Sequence, residues 1–207
     1  PAATHKHLVV RLTLKGEYLE GATRGGLFNE MQPSLGKLIE RLDEAASDKD
    51  VAAVWLRLGE VNVGRGKVYE IRAAIARIRK AGKPVYAELV SGDTSQYLLA
   101  SACNEVFMPS SGMLVLPGVR AEVTFYKGLL DKLGLSFDAL QMGKYKGAAE
   151  PYTRSSMSEP LRESLEALVD DIYEEIVAVV AKDRNLKDYQ IKTLLDQGLF
   201  TASAARK

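Results

Sequence analysis

The chain of 207 residues is long enough for one domain with a substantial core. Its 28 Lys and Arg nearly cancel 27 Asp and Glu, leaving a formal charge of +1 and no global field to recruit nucleic acid or an anionic membrane. Hydrophobic content of 46% and charged content of 27% describe an ordinary globular protein, and a single cysteine excludes both an intrachain disulfide and a cysteine-rich metal site.

His5 and His7 stand at alternate positions near the start, but no third ligand accompanies them, so they read as edge-strand histidines and no metal is expected. Residues 8–14, Leu-Val-Val-Arg-Leu-Thr-Leu, form a β-branched and aliphatic first strand. Gly16, Gly21 and the Gly25-Gly26 pair mark a loop. Ser34, after Pro33, is placed to cap a helix whose apolar positions Leu35, Leu38, Ile39, Leu42 and Ala45 fall on one face. The near-continuous apolar run 51–58 suits a strand buried on both faces of a parallel sheet. Val68, Ile71, Ala74, Ile75 and Ile78 predict a helix stopped at Gly82, and 84–89 predicts the next strand. Strand, helix, strand is a βαβ unit, so the sheet is parallel at its centre.

The loop 59–67 between these elements invites a dinucleotide-binding reading, but Tyr69 stands where the third glycine belongs, and a plain turn fits better. Residues 95–103 read as a short apolar helix. Either Thr94 or Ser95 is placed to cap it, and a plain N-cap is the favoured reading of both hydroxyls. Cys103 lies in an apolar run and reads as a small buried hydrophobe. A strand at 106–108, a turn-rich connection over 109–118 and a helix over 124–133 ending at Gly134 follow.

Over 137–142, Phe137, Ala139 and Gln141 alternate with Asp138, Leu140 and Met142 as in a short strand. Gly143 ends it and a loop with Lys144 and Lys146 comes next. A long helix over 158–182 carries Leu161, Leu165, Leu168, Val169, Ile172, Ile176, Val177 and Val180 on one stripe, and the tail from Asp188 holds one more short helix. From spacing alone the two lysines are solvated loop residues. The alternative is a general base, which requires desolvation, because an amine with the usual pKa of about 10.4 holds its proton at neutral pH.

The run Gly143-Lys144-Tyr145-Lys146-Gly147, then Glu150-Pro151, then Met157-Ser158 opening the long helix, closely resembles the signal peptide peptidase A family. The resemblance runs along nearly the whole chain. It implies an α/β fold of the ClpP/crotonase type, a spiral of ββα units with a mainly parallel sheet covered by helices, as a single domain over 1–207 that is a fragment of a larger polypeptide. It also implies a serine endopeptidase of the Ser-Lys dyad type that degrades cleaved signal peptides or membrane-derived peptides, with Lys146 as general base and no cofactor. Members with complete sites carry a serine followed by two glycines where this chain has Thr94, with Ser95 one place on, and a Pro-Gly-Gly turn where it has Gly64-Arg65-Gly66.

With these departures the chain resembles the lysine-supplying half of the family's longer, two-domain members, which implies that it is inactive by itself and that its serine comes from a C-terminal domain or a neighbouring protomer. The implied partners are a peptide substrate and further copies in a homo-oligomer, without nucleic acid. The sequence contains no signal peptide and no apolar run near 18 residues. The family nevertheless implies membrane anchoring of the full-length protein, on the extracytoplasmic face of a bacterial inner membrane. Glu150 and Arg154 read as loop anchors. The other readings are a non-catalytic scaffold of the same fold and a crotonase-type acyl-coenzyme-A enzyme, whose acidic catalytic residue has no evident counterpart here.

Overall fold

A computed structural model of the chain describes residues 7–21 and 34–206. His5, the Gly25-Gly26 pair and Pro33 lie outside the described residues. In chain order the elements are β1 (Leu8–Gly16), α1 (Leu35–Ser47), β2 (Val51–Val61), α2 (Arg65–Lys80), β3 (Val85–Leu89), β4 (Ser91–Gly92), α3 (Thr94–Ser101), β5 (Glu105–Phe107), β6 (Met113–Val115), α4 (Lys127–Lys132), a 3-10 turn (Gly147–Ala149), α5 (Glu150–Thr153), α6 (Glu159–Arg184), α7 (Asp188–Gln197), β7 (Leu199–Thr201) and α8 (Ala202–Ala205). The chain divides into two compact units, Pro1–Pro117 with Val179–Lys207 and Gly118–Ala178.

The first unit is built on a sheet of order β1-β2-β3-β5 in which every neighbouring pair is parallel. Each crossover needs a covering element, and α1, α2 and α3 supply it. Val54, Leu56 and Leu58 on β2 and Val85, Ala87 and Leu89 on β3 are buried beneath them, as are Leu38 and Leu42 of α1 and Ile71, Ile75 and Ile78 of α2. Each such large side chain contributes roughly 1.5–3 kcal/mol on burial. A second sheet of order β4-β6-β7 pairs β4 with β6 in parallel and β6 with β7 antiparallel. The expected α/β architecture with a mainly parallel sheet is what the chain forms.

Several expectations at element scale need correcting. The run 51–58 is not covered on both faces: Arg57 is exposed and Trp55 only half-buried, because the helices pack on one side of this sheet. β2 continues to Val61, so the loop before α2 is only 62–64. The second sheet's strands at 113–115 and 199–201 fall where connections were expected.

Ser34 does occupy the cap position of α1, although its hydroxyl makes no capping bond. The helix expected over 124–133 shortens to Lys127–Lys132 with none of its residues buried. Residues 137–142 form no strand: Leu140 is fully exposed and Met142 nearly so, and alternation without a neighbouring strand leaves nothing for the backbone to pair with. On α6 the apolar stripe is fully buried only from Ile176 onward, and Leu168 is exposed.

Candidate active site

Lys146 is held by two glycines and an acid, all in the second unit. Gly143 has φ +105°, a conformation that side-chain-bearing residues rarely adopt, and it lets the chain reverse so that the Lys146 N–H donates to the Gly143 carbonyl at 3.3 Å. Gly147 is buried for a different reason. A Cβ there would lie 3.0 Å from Leu161 Cδ1 and 3.2 Å from Glu150 Oε1, so glycine allows the turn to sit close against the first turn of α6.

Glu150 is the charged side chain that this packing encloses, at 6% exposure. Its Oε2 accepts from the Ser158 N–H at 2.9 Å and its Oε1 from the Ser158 hydroxyl, while Arg154 Nε stands 3.9 Å away. The hydroxyl of Ser158 in particular holds the Glu150 carboxyl below the usual carboxylate range, against the opposing effect of burial and with help from the Ser158 amide and Arg154. Ser158 in turn caps α6: its Oγ accepts from the Leu161 N–H at 3.3 Å and its carbonyl from the Arg162 N–H at 2.9 Å. One buried acid therefore pins the lysine loop to the start of a 26-residue helix. The Lys146 side chain projects from this frame into solvent, as does Lys144, whose Nζ lies 5.0 Å from the Tyr145 ring centroid. Tyr145 is itself fixed by donating its hydroxyl to Glu163 at 3.1 Å.

Thr94 and Ser95 belong to the first unit and occupy the first two positions of α3. Neither caps the helix, which corrects the expectation. Asp93 does, through a reciprocal arrangement with Gln96: the Gln96 N–H donates to Asp93 Oδ1 at 2.9 Å and the Asp93 N–H donates to Gln96 Oε1 at 2.7 Å. The signal for this was present as Asp-x-x-Gln. Gln96 Nε2 also donates to the Gly59 carbonyl on β2, which fixes the start of α3 against the parallel sheet. Gly92 makes the approach possible, since a Cβ there would meet Leu89 Cδ1 at 2.6 Å. The Thr94 and Ser95 hydroxyls are half-buried, and no hydrogen bond engages either one among the described residues. Two hydroxyls are thus presented at a firmly capped helix start.

Gly64 caps α2 in extended conformation and Arg65 and Gly66 open the helix, a turn with no third glycine to cradle a phosphate. Among the described residues no group of three or more His, Cys, Asp or Glu is placed to hold a metal, and no helix is long and apolar enough to cross a membrane. Cys103 is buried, and desolvation pushes its thiol up to about 12, which leaves it a packing residue.

Residues 77–207, which include both candidate positions, match the family described as Peptidase family S49. The chain is 32% identical over 198 residues to the chloroplastic serine protease SPPA of Arabidopsis thaliana, covering 94% of this chain and 28% of that protein. It is 29% identical over 182 residues to Protease 4 of Salmonella typhi, covering 87% of this chain and 29% of that one. It thus spans less than a third of the length of either relative. Among solved structures, a mutant form of the 1510-N membrane-bound stomatin-specific protease shares the fold with a TM-score of 0.51 at 10% identity, over 97% of this chain and 75% of that one. On this family match, and with similarity to those relatives along most of its length, the chain belongs to peptidase family S49.

Proposed function

We propose that this chain is the lysine-bearing part of a Ser-Lys endopeptidase, with Lys146 as general base and a serine supplied by another domain or a neighbouring protomer. The observation that carries the reading is the rigid frame around an exposed amine. Gly143 sets the turn, Gly147 packs it down, and Glu150 with Ser158 locks it to α6. A general base has to be positioned to within a hydrogen bond of the hydroxyl it deprotonates, and a framed lysine meets that need better than a loose one. In the reaction the neutral Lys146 amine takes the proton of the serine hydroxyl as its oxygen attacks the scissile carbonyl, then returns the proton to the leaving amine. The serine-bearing partner, closing over Lys146, brings its hydroxyl to the amine and excludes water from the pair.

Membership in family S49 and similarity to SPPA and Protease 4 support a peptide substrate, and cleaved signal peptides or other membrane-derived peptides are the class proposed. The full-length protein would work as a homo-oligomer at the extracytoplasmic face of a bacterial inner membrane, and this part alone would not turn over. The test is Lys146→Ala in the complete protein, assayed with a fluorogenic peptide. Hydrolysis should fall at least about a thousandfold. The urea midpoint should move by less than about 0.5 kcal/mol equivalent, as for other exposed positions. Retained turnover refutes the assignment. Thr94→Ala and Ser95→Ala should leave activity intact, and near-total loss in either would put the nucleophile on this chain.

A further inference from the structure

The face of the four-stranded sheet away from the helices carries an ordered pattern of side chains. Register places Arg11, Trp55, Tyr86 and Glu105 in one row across β1, β2, β3 and β5, and Thr13, Arg57, Glu88 and Phe107 in the next. The centre is aromatic: Trp55 stacks on Phe107 at 5.2 Å, and Tyr86 lies 6.1 Å from each of them. Glu88 is used internally, accepting from Trp55 Nε1 at 2.8 Å and pairing with Arg57 at 3.6 Å. Arg11 and Glu105, at opposite edges, are exposed and have no ion-pair partner among the described residues. Val9 and Phe107 are 61% and 41% exposed, and a shallow depression lined by Val9, Arg11, Trp55 and Glu88 opens beside the aromatics. An aromatic centre with exposed charges of opposite sign at its two edges differs from the mixed polar surface a sheet turns toward water.

We propose that this open sheet face is a self-association surface on which a second copy of this chain seats. The charge arrangement selects that occupant. A two-fold axis running along the strands turns the row over, so Arg11 of one copy meets Glu105 of the other, Glu105 meets Arg11, and Trp55 lies over Tyr86. A closed isologous contact requires this self-complementarity, and a row with like charges at both edges could not provide it. The sheets would stack about 10 Å apart with their strands nearly aligned, and the aromatics would fill the gap. Four strands spaced about 4.8 Å apart present a face roughly 15–20 Å wide, near the small end of specific interfaces, so the pairing is weak and reversible. None of the residues involved takes part in the proposed catalysis.

Trp55 is the single tryptophan of the chain, so its emission reports on this face alone. The 207-residue chain is followed by sedimentation and by tryptophan emission from about 1 μM to 1 mM, the span a weak interface requires. The expected result is a concentration-dependent dimer with a blue shift that follows dimerisation. Arg11→Glu and Glu105→Arg should each weaken it roughly tenfold, since each substitution occurs twice per dimer, and the combined swap should restore it to within about threefold. Circular dichroism checks that each variant is folded, which these exposed positions should permit. A chain that stays monomeric to about 1 mM overturns the proposal. So does a dimer that leaves Trp55 emission unchanged, or one in which the combined swap fails to rescue a folded protein. Trp55 shielding that is independent of concentration, in a longer polypeptide containing this chain, would assign the face to another domain and overturn it as well.

Discussion

Glu150 concentrates the chemistry of the lysine loop into one side chain. It is buried and charged, and it is satisfied by both donors of Ser158. Because its folded pKa lies below the ordinary 4.5, the folded state holds fewer protons at this site than the unfolded chain. Its contribution is therefore complete above the ordinary carboxylate range and is lost as pH falls through the lowered folded value. Glu150→Gln should cost about 1–3 kcal/mol at pH 7, and urea titrations between pH 7 and pH 3 should show the gap from wild type closing toward acid. Sequence marked Glu150 as an anchor together with Arg154. It did not reveal Ser158 as the main partner, because eight residues of separation become a contact only after the loop folds onto α6. Lys146 stood out only through the resemblance carried by its Gly-Lys-Tyr-Lys-Gly run, since spacing alone gives a solvated loop residue, and the structure adds the reason positions 143 and 147 are glycine.

The same contrast holds for elements. Helices with long apolar periodicity, α1 and α2, lie where their spacing places them, and all four strands of the parallel sheet lie at their expected positions to within a few residues at the ends. Strands β4, β6 and β7 were not, because two or three residues hold no period and owe their existence to neighbours distant in sequence. Residues 137–142 show the converse: alternation was present, the partner was not. At α3 the cap lies one or two positions before the hydroxyls expected to provide it, because the carboxylate at 93 and Gln96 form a reciprocal pair that the hydroxyls at 94 and 95 cannot. The consequence is measurable. Asp93→Ala should destabilise the chain by about 1 kcal/mol. Thr94→Ala and Ser95→Ala should stay within about 0.5 kcal/mol in the same denaturation series, because neither hydroxyl holds the helix.

At the scale of the molecule, long-range closure of the first unit depends on a small polar cluster inside an apolar shell. Arg72 of α2 reaches the Leu98 carbonyl and Ser101 Oγ on α3, and pairs with Asp183 near the end of α6 at 2.8 Å. Ser101 donates to the same carboxylate at 2.6 Å. Both charged partners are largely shielded, at 13% and 14% side-chain exposure, so removing one strands the other. Asp183→Ala should cost about 3 kcal/mol, and Arg72→Met combined with it should cost clearly less than the two added together, which a double-mutant denaturation cycle reads. No periodicity announces such a cluster, because its members come from three helices separated by up to 111 residues.

The hidden sulfur of Cys103 gives the molecule an unplanned experimental convenience. A thiol buried against Leu99 and held protonated well beyond neutral pH does not compete for maleimides. An engineered cysteine at solvent-facing Leu140, with a second on the outer surface of α1, would accept spin labels or dyes without first stripping the native sulfur. Label mobility at each position would then report on the lysine-bearing unit and on the parallel-sheet unit separately.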